Sequence, residues 1–252
     1  MPTTLLRSLC LFVLMLAGTA RAETVHVAVA ASLQYVFSAL AEDFQQRGGT
    51  LAVASFGASG SLATQIRNGA PFGVFLSADS SKPQALADSG LAAEAPRVYA
   101  YGALVLWSAA DVDLHDWRAA LQNPMVRHIA IANPRLAPYG QAALQLLAHD
   151  GLANTLAARL VYGESIQQVN QFVRSGAAQL GFTAKSIVLS SQVRNDGHWV
   201  ELPHDHYAPI AQSALLVKGA SPAATQFYHY LFSPPARAIW QRYGYSLPDL
   251  RR

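Results

Sequence analysis

Short apolar runs alternate with helix-spaced apolar stripes along most of this 252-residue chain, the pattern of an α/β fold. Between residues 24 and 30 the valines at 25, 27 and 29 share one face, as in a strand. Leu33, Val36, Phe37, Leu40, Ala41 and Phe44 then recur at the spacing of a helix's buried stripe. Further strands are expected over 51–56, 74–77, 103–108, 128–132, 160–162, 179–182, 199–202 and 214–217. Helical patterns separate most of them, and two more helices close the chain near 223–232 and 235–243. No internal repeat or linker composition is visible, so periodicity alone sets no domain boundary.

The first residues bear on compartment. Arg7 precedes a short apolar run over 9–18, and Ala20-Arg21-Ala22 presents small residues where a signal peptidase reads them. A signal peptide over 1–22, cleaved after Ala22, and export to the periplasm are therefore expected. The run is well short of the about 20 apolar residues needed to span a bilayer. Cys10, the single cysteine, lies inside the apolar region with no small-residue lipobox around it. The mature chain would be thiol-free, which excludes cysteine nucleophiles and thiolate metal sites. Past residue 22 the chain keeps 16 basic residues against 15 acidic ones. That balance, without a basic run, argues against a nucleic-acid partner.

Candidate chemistry gathers at four places where a strand gives way to a helix. Ser32 is expected to cap a helix starting at Leu33. Gly57-Ala58-Ser59-Gly60-Ser61 precedes a helix expected over 62–67, Ala137-Pro138-Tyr139-Gly140 one over 141–147, and Gly163-Glu164-Ser165-Ile166 one over 167–173. A helix start leaves amide N–H groups without intrahelical partners and carries partial positive charge, so it binds anions. One serine before a helix is usually only a cap; the four loops together carry the reading, because open α/β sheets bind ligands at the carboxyl ends of their strands. Apart from Glu164 the loops contain no carboxylate to accept a proton from phosphate. A fully deprotonated tetrahedral dianion needs donors alone, which favours sulfate, molybdate or tungstate.

At these loops the chain resembles the periplasmic molybdate-binding proteins of ABC importers. The resemblance is carried by Gly57-Ala58-Ser59-Gly60-Ser61-Leu62-Ala63-Thr64-Gln65-Ile66, Gly69-Ala70-Pro71 and Val74-Phe75-Leu76-Ser77-Ala78-Asp79. Ala31-Ser32-Leu33, Asn133-Pro134, Ala137-Pro138-Tyr139-Gly140, Leu180-Gly181-Phe182 and Arg242-Tyr243-Gly244-Tyr245 support it. It implies a type II periplasmic binding fold of two α/β lobes joined by two hinge crossings, residues 23–101 with 213–252 forming lobe 1 and 102–212 lobe 2. It also implies ligand contacts from Ser32 and Ser59 through hydroxyl and amide, and from Tyr139 and Ile166 through backbone N–H. The implied ligand is molybdate or tungstate, with no cofactor; the implied protein is a monomer whose partner is a membrane permease. One branch of the family adds a tyrosine where this chain has Ala184, while another lacks it and carries a tyrosine in its Ala-Pro-Tyr-Gly loop, as here.

Three rival readings differ in class. Sulfate matches molybdate in charge and shape and differs in size. A serine hydrolase built on Ser59 would need glycine two residues to either side, and Ser61 stands at the second position. His204 and His206, flanking Asp205, form a His-x-His that could chelate a metal, but no third ligand is evident in sequence and Pro203 and Pro209 suggest an exposed connection. No metal cation is therefore expected.

Overall fold

The computed structural model describes residues 23–249; the expected signal peptide lies outside them. In chain order come β1 (Val25–Ala30), α1 (Gln34–Gln46), β2 (Ala52–Gly57), α2 (Ser59–Arg67), β3 (Val74–Ser77), α3 (Ser81–Asp88) and β4 (Arg97–Gly102). The middle of the chain forms β5 (Leu104–Ser108), α4 (Trp117–Gln122), β6 (Ile129–Ala132), α5 (Pro138–His149), α6 (Ala153–Leu156), β7 (Leu160–Gly163), α7 (Ile166–Arg174), β8 (Leu180–Ala184), α8 (Lys185–Val188) and β9 (His198–Glu201). It ends with β10 (Ile210–Leu216), α9 (Pro222–Tyr230) and α10 (Pro234–Arg242).

The strands form two five-stranded sheets, ordered β2-β1-β3-β10-β4 and β7-β6-β8-β5-β9. Each has a parallel trio, β2-β1-β3 or β7-β6-β8, joined to an antiparallel strand and an antiparallel edge. One topology is thus used twice, with β6, β7 and β8 standing where β1, β2 and β3 stand. The joining strands β5 and β10 border the two passages between sheets: the chain leaves the first sheet between Gly102 and Leu104 and re-enters it at Ile210. Strands β3, β5, β6 and β8 are buried on both faces, as expected of sheets covered by helices on either side.

Two elements differ from the sequence reading. Strand β4 has no counterpart in it: an edge strand with Ala100 and Gly102 in place of β-branched residues carries little alternating signal. Strand β10 begins at Ile210 rather than 214, because the polar Gln212-Ser213 pair interrupts its apolar run. Its first residues pair with β4, from Ile210 opposite Gly102 onward.

Candidate functional site

Helices α2, α5 and α7 each start earlier than their apolar stripes suggest. Ser59 and Ile166 are the first helical residues of α2 and α7, and Pro138 opens α5, where its missing N–H would have had no partner in any case. Ser59, Tyr139 and Ile166 therefore contribute amides from the unpaired first turn. Ser32 corrects the sequence reading in a different way. It lies inside a 3-10 turn at Ala31–Leu33, with Leu33 rather than Ser32 at the capping position of α1. The tight turn lets the chain reverse directly off β1 and leaves the Ser32 hydroxyl free of capping.

The four segments follow β1, β2, β6 and β7, the equivalent first and second strands of the two parallel trios, and they converge. Ala31, Ser32, Ala58, Ser59, Ala78, Ala137, Pro138, Tyr139 and Ile166 line one small cavity with Ala30 and Gly57. Its free space is about 10 Å3, room for roughly one water-sized sphere, against the roughly 300 Å3 or more of an organic-ligand pocket. No lining residue is charged. Glu164, the one carboxylate of the four loops, is exposed and outside the cavity.

The donors are prepared rather than consumed. Asp116, Ser221 and Ser233 cap α4, α9 and α10 with side-chain hydrogen bonds, whereas no side chain caps α2, α5 or α7. Ser165, at the N-cap of α7, makes no such bond either. Ser59 Oγ accepts the Ala78 N–H at 3.0 Å, which fixes the oxygen and leaves the hydroxyl proton to donate. Ser32 Oγ is buried without a protein partner, a state that costs about 1–3 kcal/mol unless a ligand satisfies it. The peptide dipoles of three helix starts face the same point, so neutral groups supply the positive potential.

Tyr139 lines the cavity, while its hydroxyl lies beside Gly102, where the chain passes between the sheets. Its hydroxyl lies against Tyr245 without adequate hydrogen-bond geometry and has no partner. Burial, foremost, then the neighbouring tyrosines, pushes that hydroxyl well above its ordinary value of 10.0, so it stays protonated.

Sequence reasoning missed the groups that hold the lobes together around the cavity. Gly60 N–H donates to the Leu136 carbonyl at 2.9 Å across the cleft. Ser186, the second residue of α8, donates to the Ser32 carbonyl at 2.9 Å and accepts from the Tyr245 hydroxyl at 3.0 Å. Ala78 was also missed as a lining residue, although Ser77-Ala78-Asp79 stood within the family-like stretch. Its position after β3 is the counterpart of Lys185 after β8. Ala184 is fully buried and lies outside the cavity lining.

Two lobes of repeated topology, closed on a small donor-lined cavity at their strand ends, define a type II periplasmic binding protein. The family model described as bacterial extracellular solute-binding protein matches residues 25–246. The chain is 42% identical to the molybdate-binding protein ModA of Azotobacter vinelandii, over 92% of this chain and 94% of that one. It is 40% identical to ModA of Rhodobacter capsulatus, over 91% of each. The solved Azotobacter vinelandii periplasmic molybdate-binding protein superposes with a TM-score of 0.85 at 37% identity, covering 89% of this chain and all of that one. The chain belongs to the molybdate-binding family of bacterial extracellular solute-binding proteins.

Proposed function

We propose that this protein captures molybdate in the periplasm and delivers it to the membrane permease of an ABC importer. It is a transport component and not an enzyme. Ser32, Ser59, Tyr139 and Ile166 hold the oxyanion, the serines through hydroxyl and amide and the other two through backbone N–H. The observation that carries this reading is the cavity itself: four segments from two lobes, small volume, donors in excess and no charged side chain. A protonated phosphate would meet no carboxylate there, and an amino acid or sugar would not fit. Tungstate, of the same charge and shape, is bound as well.

The further parts of the reading rest on sequence and kinship. Export proceeds by cleavage after Ala22, the protein acts as a monomer without cofactor, and its nearly balanced charge gives nucleic acid no purchase. Binding draws residues 23–101 and 213–252 against 102–212, and the permease reads the closed shape.

Parallel calorimetric titrations of the purified protein with molybdate, tungstate, sulfate and phosphate test the assignment. Heat is expected with the first two and little with phosphate. Tight sulfate binding with no molybdate heat overturns it in favour of a sulfate-binding protein.

A further inference from the structure

His204 and His206 do not act as the pair their spacing suggests. His204 is exposed and its Nε2 lies 2.9 Å from Glu201 Oε1. His206 instead turns inward, its side chain 13% exposed, with Nδ1 2.7 Å from Asp150 Oδ2. His149, the last residue of α5, stacks on the His206 ring at 3.9 Å between centroids and brings its own Nδ1 to 3.8 Å from the same oxygen. One ligand atom each from His149, Asp150 and His206 lie within 4.8 Å of one another. Among the described residues this is the one such cluster.

We propose that His149, Asp150 and His206 form a binding site for a divalent transition-metal cation of the zinc class. Two imidazoles and one carboxylate are a donor set that zinc accepts, with water completing the shell. The surroundings suit the role. Arg118 donates through Nε to Asp150 Oδ1 at 2.8 Å, which orients the carboxylate with Oδ2 toward the two imidazoles, the kind of outer-shell support that ligating carboxylates receive; a bound ion would replace the His206–Oδ2 hydrogen bond. The cluster lies at the C-terminal end of α5, where the helix dipole favours a cation. His149 is about half exposed, which gives an entry path and lets its ring swing from stacking into convergence on the ion. The nearby guanidinium opposes a dication, so the site is one of moderate affinity.

The site is separate from the oxyanion cavity. Tyr139 and His149 are ten residues apart on α5, about 15 Å at the helical rise. One helix thus presents its positive end to the anion and its negative end to the cation. His206 belongs to the connection that feeds β10, so a bound ion would tie that passage between the sheets to α5.

Tag-free protein stripped of metal with a chelator, titrated calorimetrically with zinc chloride, tests the proposal. One zinc per chain is expected, with affinity lowered about tenfold or more by His206→Ala or His149→Ala and unchanged by His204→Ala. Cobalt(II) should give visible absorption in the parent protein and lose it in His206→Ala. Circular dichroism establishes that each variant is folded; should His206→Ala not fold, the exposed His149 decides, since its truncation leaves the core intact. Absence of zinc heat in the parent, or equal loss in His204→Ala and His149→Ala, overturns the site.

Discussion

Two hydroxyls decide how the cavity handles charge. Ser32 Oγ lacks a protein partner, and Ser59 Oγ receives one hydrogen bond and has its own still to give. Each is expected to donate to the bound oxyanion, and a hydrogen bond to a charged group is worth about 1–3 kcal/mol. Ser32→Ala and Ser59→Ala should therefore each weaken molybdate binding about tenfold to a hundredfold by calorimetry, with little change in melting temperature for Ser32→Ala and a lower one for Ser59→Ala, which also strips the buried Ala78 N–H of its acceptor. Ser165→Ala is the control at an otherwise similar position. Its side chain neither caps α7 nor lines the cavity, so affinity should stay within about twofold. Sequence alone treats Ser32, Ser59 and Ser165 as three helix-start serines; which hydroxyl is spent on the protein is a fact of tertiary geometry.

At the scale of elements, helix α5 is seated by a glycine. A Cβ built on Gly140 would come within 1.9 Å of the Ala132 carbonyl oxygen at the end of β6. Gly140→Ala must push α5 off that strand end and should cost about 1–3 kcal/mol, seen as a lower melting temperature, and displace the Tyr139 amide, seen as weaker molybdate binding. A second contact acts only between lobes. Ser186→Ala removes the donor to the Ser32 carbonyl while leaving every cavity-lining residue in place. The same change removes the acceptor for the Tyr245 hydroxyl; loss of two neutral hydrogen bonds, about 0.5–1.5 kcal/mol each, should appear as roughly five- to a hundredfold faster molybdate release in stopped-flow measurements.

The same elements mark what could be read from sequence. The strands β3, β5, β6 and β8 were legible because burial on both faces makes them largely apolar runs, and β1 because its valines at 25, 27 and 29 alternate onto one face. The first turns of α2, α5 and α7 were not, since Ser59-Gly60-Ser61, Pro138-Tyr139-Gly140 and Ile166-Gln167 interrupt the apolar stripe at the points where the backbone borders the cavity. Strand β4 was hidden for a related reason. A Cβ on Gly102 would fall 2.1 Å from the Tyr139 hydroxyl, so a residue that packing requires to be small sits where a strand signal would otherwise be.

At the scale of the whole molecule, the internal duplication is topological and leaves no trace in sequence, because only the strand order and the polarity of the strand ends are repeated. The consequence is a binding site separated from the groups that titrate. No lining side chain changes charge near neutrality: the sole ionisable one, Tyr139, is held protonated by burial. Fold stability does depend on carboxylates elsewhere. Arg47, hydrogen-bonded to Asp43, is the main cause holding that carboxyl below its ordinary 3.8, and Tyr230 on α9 adds a second bond. At Glu201 burial raises the pKa, but hydrogen bonds from Lys185 and His204 outweigh it and keep it below 4.5. Because both are depressed in the folded protein, their contribution is fully present above the unfolded values and is lost as pH falls through the folded ones. Melting temperature should thus be level down to about pH 5 and drop below about pH 4, with a shallower drop in Glu201→Gln. Molybdate affinity should instead be flat between about pH 6 and 9 in both proteins, since neither hydroxyls nor amides titrate there. A bell-shaped or sloping affinity profile over that range would mean that an ionisable side chain enters the bound site.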